Sequence, residues 1–221
     1  MKSAMTFPVE CRYNVVGGQQ NPEQEYRGTV AFSPDGEAWR IRWELETSTQ
    51  RPKIFHGTGF PVGDDFYASR YEFASVPDDD DYPGVVVYDV QNFGRLPAQW
   101  YHPTLNGKKG VGLSTDGPSD TLPGIYRAEY RSTLEEFDPL LKEIFARNAH
   151  LEFDWRNSEG SIYIGVGERI GDRLAAAWSK PRQSLEMLRY PLLREGTAAT
   201  AGAWMKYGAP VRGHERLTVA D

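Results

Sequence analysis

Trp39, Ile41, Trp43 and Leu45 alternate with Arg40, Arg42, Glu44 and Glu46, the period of two that buries one face of a β-strand and leaves the other in water. The same pattern returns where Leu151, Phe153 and Trp155 are interleaved with Glu152, Asp154 and Arg156. Each stretch leads through a turn into a glycine block, GTGFPVGDDFYA at 57–68 and GVGERIGDRLAA at 165–176. Within the blocks Gly57, Gly59, Gly63, Asp64 and Ala68 coincide with Gly165, Gly167, Gly171, Asp172 and Ala176, in a register of 108 positions held from 57 against 165 to 68 against 176. The flanks agree as well. CRYNVVGG at 11–18 matches GIYRAEYR at 124–131, VVVYDV at 85–90 matches MLRYPLL at 187–193, LPAQW at 96–100 matches TAGAW at 200–204, and GVGLS at 110–114 matches GHERL at 213–217. Tyr88 therefore answers to Tyr190, and Trp100 to Trp204. The pattern reads as an internal duplication.

Each copy offers seven or eight short strands separated by Gly, Pro, Asn or Asp turns, including turns at Asn92 to Gly94 and at Glu195 and Gly196. That spacing predicts an all-β fold, a tandem duplication of a seven- to eight-strand antiparallel meander or barrel. Closure removes the exposed edges that an open sheet must protect. The first barrel-like repeat is expected over 1–116 and the second over 117–221, joined through the turn-rich stretch STDGPSDTLPG at 114–124. Two packed subdomains are favoured, with one merged sheet as the alternative. The copies differ at one place. YRGTVAF at 26–32 reads as a strand, whereas Leu140, Leu141, Ile144 and Phe145 fall on one helical face behind Asp138 and Pro139, a cap and first-turn pair. A short helical insertion near 133–148 is therefore expected, leaving the second copy less completely closed.

With 221 residues, 39% hydrophobic and 13% aromatic, the chain can bury one sizeable core or two small ones. No apolar run approaches the roughly twenty residues of a membrane helix, and MKSAMTFPVECRYN lacks the apolar centre of a secretory signal. A soluble, cytoplasmic protein without a membrane partner is expected, and the single cysteine, Cys11, agrees with a reducing compartment. Cys11 itself reads as an ordinary small apolar residue. A net charge of −6, with no cluster of Lys and Arg, argues against nucleic acid. Residues 1–117 carry 16 acids against 11 bases and 118–221 carry 15 against 14, so the acidic excess lies in the first copy, much of it in Asp78 to Asp81.

Candidate chemistry is sparse. GTGFPVG and GVGERIG read GxGxxxG, but a dinucleotide site needs a helix directly after its glycines so that amides face pyrophosphate. DDFYASRY and DRLAAAWS follow instead, so the glycines are assigned to a strand and the turn after it. Four consecutive aspartates at 78–81 do not match the alternating ligands of a calcium loop and read as a solvated acidic loop that keeps strand edges apart. His56, His102, His150 and His214 form no ligand pair at metal spacing, so no metal and no cofactor is expected. The sequence has no serine elbow, HExxH or phosphate loop, and Glu44, Glu46, Glu152 and Asp154 pair with nothing as acid and base. No catalytic residue is assigned. Of six tryptophans, Trp39, Trp43, Trp100, Trp155, Trp178 and Trp204, the repeat-matched four are core-facing first. Buried indoles also need partners, so a lumen lined by several of them can bind a flat or apolar molecule. An eight-stranded barrel is just wide enough for packed side chains or one small ligand. The candidate binding residues are Trp43, Trp100, His102, Trp155 and Trp204.

The order of a GIY-type opening strand, a strand ending in Trp, the GxGxxxGDxL block, a VVVY strand, a strand ending in AxW or AQW and a closing glycine turn resembles small bacterial β-barrel repeat proteins of uncharacterised function. It is also loosely similar to avidin- and lipocalin-type calycin barrels. The resemblance covers nearly the whole chain and implies the barrel fold. The chain lacks the early GxW opening of a lipocalin, and no binding residue is carried over from either family. The leading expectation is a noncatalytic binding or protein-interaction scaffold with filled cores. The alternative is a calycin-like barrel enclosing a small hydrophobic ligand, and the third an enzyme using His102 or a strand-end carboxylate. The partner, an unknown protein or a small apolar molecule, and the oligomeric state stay open.

Overall fold

The computed structural model describes residues 12–20, 23–48, 50–73, 75–133, 136–147, 150–181, 184–191, 199–210 and 212–220. Cys11 and the turn expected at Glu195 and Gly196 lie outside them. The described chain is almost all strand. In order these are β1 (Arg12–Gln20), β2 (Glu23–Asp35), β3 (Ala38–Thr47), β4 (Gln50–Val62), β5 (Asp65–Glu72), β6 (Gly84–Asp89), β7 (Leu96–Tyr101) and β8 (Gly110–Thr115). The second half supplies β9 (Gly124–Arg131), β10 (Leu140–Arg147), β11 (His150–Asn157), β12 (Gly160–Ile170), β13 (Arg173–Ser179), β14 (Glu186–Pro191), β15 (Ala199–Lys206) and β16 (Arg212–Val219). Among the described residues no helix is long and apolar enough to cross a membrane.

These strands close into two eight-stranded antiparallel barrels, and the barrels do not follow one another along the chain. Barrel A runs β1-β16-β15-β14-β5-β4-β3-β2, and barrel B runs β10-β11-β12-β13-β6-β7-β8-β9. The division expected at 116/117 is thus not where the barrels part. Each copy of the sequence pattern gives its first five strands to one barrel and its last three to the other. The stretch 114–124, expected to link two units, is the β8–β9 connection within barrel B. The true crossovers lie between β5 and β6 and between β13 and β14. The first is pinned where the hydroxyls of Thr58 and Ser69 both donate to the Pro83 carbonyl, at 2.7 and 2.9 Å.

The alternation fixes which side chains point inward. Ile41, Trp43 and Leu45 of β3 join Tyr13, Val30, Phe66, Tyr190 and Trp204 in the core of barrel A. Phe153 and Trp155 of β11 join Val86, Tyr88, Trp100, Tyr126 and Leu174 in barrel B. A third apolar layer, including Phe60, Tyr67, Val85, Val166, Ala175 and Met187, seals the barrels together. It uses the outward positions of β4–β6 and β12–β14, so those strands are buried on both faces. The glycine blocks serve strand and turn as expected: no helix follows, and Gly63 and Gly171 turn at φ +62 and +60, a backbone that glycine adopts without strain. Gly57 and Gly165 are further required because a Cβ at Gly57 would run into the Ser69 carbonyl of the neighbouring strand, and one at Gly165 into the Trp155 ring and the Ala177 carbonyl.

The helix expected near 133–148 is absent over 140–147, where β10 pairs continuously with β11 and with β9. The reason is Lys142. Leu140, Lys142 and Ile144 form the inward face of a strand, and a charged residue at the middle position hides the period of two. Barrel B is consequently as closed as barrel A.

The exchange of three-strand segments makes a prediction. Separately prepared fragments 1–116 and 117–221 each lack the strands to close the barrels seen here, and neither should give a native near-ultraviolet circular dichroism spectrum alone. Mixing them should restore it; a native spectrum from either fragment by itself would show that a copy can close on its own.

Candidate functional site

Trp43 and Trp204 face the lumen of barrel A. There they surround an arginine that the periodicity places inward, since Phe66, Ala68 and Arg70 lie on one face of β5. The Arg70 guanidinium is 5.7 Å from the Trp43 ring, 5.6 Å from Trp204, 5.3 Å from Phe55 and 5.9 Å from Tyr26. Arg70 Nε donates to Glu186 at 2.6 Å and Nη1 to Glu215 at 2.9 Å. Tyr26 donates to Glu215 at 2.7 Å, and Tyr190 donates to the same carboxylate. Burial by itself would lower the pKa of Arg70, but Glu186 and Glu215 hold it well above the ordinary arginine value. Burial, followed by the charge of Glu215, raises both tyrosines. This end of barrel A is filled by an ion cluster in which every member is hydrogen-bonded. Among the described residues the indole nitrogens of Trp43 and Trp204 have no hydrogen-bond partner, consistent with rings that serve the cation with their faces.

Trp100, His102 and Trp155 come together in barrel B. They line a cavity of about 360 Å³ whose wall also includes Trp178, Tyr130, Tyr163, Phe137, Leu140 and Val86, with Asp80, Asp81 and Lys180 at its rim. The cavity opens where the first crossover enters the barrel. Trp178 packs edge-on to Tyr163 at 4.9 Å and to Trp100 at 6.2 Å. On the floor Trp155 Nε1 donates to the Tyr130 hydroxyl at 2.8 Å, which shares a second bond of 2.8 Å with the Tyr88 hydroxyl. Burial pushes Tyr130 up to about 12, so this network consists of neutral hydroxyls.

His102 is a strut at the mouth. Its Nε2 lies 2.9 Å from the Tyr82 carbonyl and must donate to it, which leaves Nδ1 to accept from the Thr104 hydroxyl at 2.8 Å. Burial lowers its pKa, and its ring stacks on Trp178 at 5.1 Å. Both nitrogens are committed to structure. The run Asp78 to Asp81 is more than a solvated loop: Asp79 accepts from Arg40 at 2.5 Å and Asp81 lies 3.7 Å from Lys180. No group of three or more potential metal ligands occurs among the described residues.

Beneath the cavity lies a second buried cation. Lys142 Nζ donates to Ser114 Oγ at 2.8 Å and sits 3.9 Å from the centre of the Tyr88 ring and 4.7 Å from that of Tyr126. Among the described residues no carboxylate pairs with it, and burial drives its pKa well below the ordinary lysine value.

The five candidate residues, four tryptophans selected by repeat matching and the strand-end His102, thus divide between two sites, three around the cavity and two around the ion cluster. Arg70, Glu186, Glu215, Lys142, Tyr130, Phe137, Tyr163 and the pocket role of Trp178 are not legible in the tryptophan pattern. One signal does point to Arg70 and Trp178. Extending the 108-residue register two positions beyond Ala68 and Ala176 sets Arg70 against Trp178, a charge at an inward position. What the fold and site define is a pair of closed β-barrels with exchanged strands, one lumen sealed by ions and the other open as an aromatic pocket. No protein-family model, no curated protein and no solved structure matches the chain.

Two stability effects follow. Arg70→Leu strands two buried carboxylates and should cost about 3–5 kcal/mol in urea unfolding, most of it recovered when Glu186 and Glu215 are also replaced by leucine. For Lys142 the folded pKa lies below the unfolded one. The unfolded chain therefore binds the extra proton between the two values, and stability rises with pH through that window. Lys142→Met should raise the melting temperature at pH 7 and flatten its rise towards pH 10; a variant less stable than the parent at pH 7 would contradict this.

Proposed function

We propose that this is a noncatalytic binding protein whose site is the aromatic cavity of barrel B, taking one small, flat or apolar molecule. The observation that carries the reading is the contrast between two lumens built on one sequence pattern: where barrel A is plugged by the Arg70 cluster, barrel B presents a wall of aromatic rings around about 360 Å³. A pocket lined mainly by aromatic side chains with few polar groups is the usual form of a small-molecule site. The cavity favours the calycin-like alternative over a pure interaction scaffold. It also weighs against catalysis, since His102, the histidine at the site, has both ring nitrogens engaged. Origin by duplication of one barrel module and a cytoplasmic location, with which the single Cys11 agrees, belong to the same proposal.

Titration with neutral aromatic probes such as naphthalene and indole tests it. Tryptophan fluorescence should change saturably at one equivalent, and Leu140→Trp, which fills the mouth, should weaken binding by about ten-fold or more, the scale of a blocked contact surface. Absence of saturable binding across the panel, by fluorescence and by calorimetry, would end this reading.

A further inference from the structure

The two barrels place matched residues around the same region of their lumens, so one shows what the other lacks. Trp43, Trp204 and Phe55, three of the four rings facing the Arg70 guanidinium, correspond to Trp155, Trp100 and Tyr163. The first two pairs follow from the repeat. The third follows from strand register, since Trp43 pairs with Phe55 and Trp155 with Tyr163. All three residues of the second set line the cavity.

The ion cluster is missing from the second set. Arg70 pairs with Glu186 across β5 and β14, and the equivalent positions, Trp178 and Gly84, pair across β13 and β6. Gly84 is needed there because a Cβ would run into the Trp178 indole. Likewise Glu215, opposite Gly202, is replaced by Gly112, opposite Ala98, and Tyr130 lies against that glycine. Barrel B carries counterparts of three of the four rings that hold the guanidinium in barrel A, has Trp178 where the arginine stands, and lacks both the guanidinium within that ring set and its carboxylates. Negative charge is instead found at the rim, where Asp80 and Asp81 outnumber Lys180.

We infer that the cavity of barrel B takes an organic cation, an alkylated ammonium or guanidinium group carried on an apolar body. This rests on the binding reading given above and names its ligand class. Aromatic faces attract a soft cation through their quadrupoles, most strongly when water is excluded, and a carboxylate rim draws it in through a field that salt screens. Lys142 does not compete for the rings of the cage. Its ammonium is turned to Tyr88, Tyr126 and Ser114, below the Tyr88–Tyr130 pair.

Calorimetric titration of the full chain with benzyltrimethylammonium and with neopentylbenzene, its neutral carbon isostere, separates charge from shape. The cation should bind about ten-fold more tightly than the isostere. Asp80→Asn, an exposed change outside the core, should weaken the cation about three-fold and leave the isostere unaffected, and added salt should act in the same direction. Equal or tighter binding of the isostere would overturn the inference while leaving the apolar-pocket reading in place. If neither compound binds, both fall. Co-sedimentation with phosphatidylcholine vesicles, reversed by free benzyltrimethylammonium, would keep the ligand chemistry and assign its source to a lipid headgroup.

Discussion

The buried contact of Arg70 with Glu186 and Glu215 governs how this chain is threaded. The arginine belongs to the first copy of the sequence pattern, and both carboxylates belong to the second. If the first copy closed on its own β6–β8, Gly84 and Gly112 would stand where the carboxylates stand, and the guanidinium would be buried without a countercharge. A buried ion pair adds little net stability over an apolar filling, but a buried charge deprived of its partner is very costly. The cluster therefore separates the exchanged pairing from the unexchanged one, two arrangements that main-chain hydrogen bonding alone would leave nearly equal.

The same economy explains why two barrels of one pattern differ inside. At the level where barrel A carries Val30 beside Trp43, barrel B carries Lys142 beside Trp155. Ser114, which accepts from Lys142, sits opposite Leu96, where barrel A sets Leu217 opposite Thr200. Barrel B is thus polar in its depth and aromatic at its mouth, and barrel A the reverse. An eight-stranded barrel leaves room for its side chains and little more, so trading an arginine and two glutamates for a tryptophan and two glycines is enough to change a plug into a cavity.

Much of this is legible in the amino-acid pattern. The strands around Trp43 and Trp155, the turns at Gly63 and Gly171 and the closed all-β architecture follow from local periodicity and from the repeat, whereas Trp100 and His102, read into the first copy's barrel, meet Trp155 of the second only because β6–β8 close barrel B. The stretch 140–145 mimics a helix because Lys142 occupies an inward position, and hydropathy alone cannot distinguish a buried lysine from an exposed one. His102 is legible as a strand-end residue, yet its fixed tautomer depends on the carbonyl of Tyr82, a residue on the crossover from the other barrel.

Sequence by itself determined the strands around Trp43 and Trp155, which of their faces turns inward, the glycine turns that follow them and which tryptophans of the two copies correspond, because these depend on a period of two and on turn chemistry within a few residues. Tertiary structure alone decided which copy closes which barrel, and that one lumen is sealed while the other stands open. Those outcomes depend on pairs such as Arg70 with Glu215 and Trp178 with Gly84, whose members lie far apart along the chain and meet only when the sheet has closed.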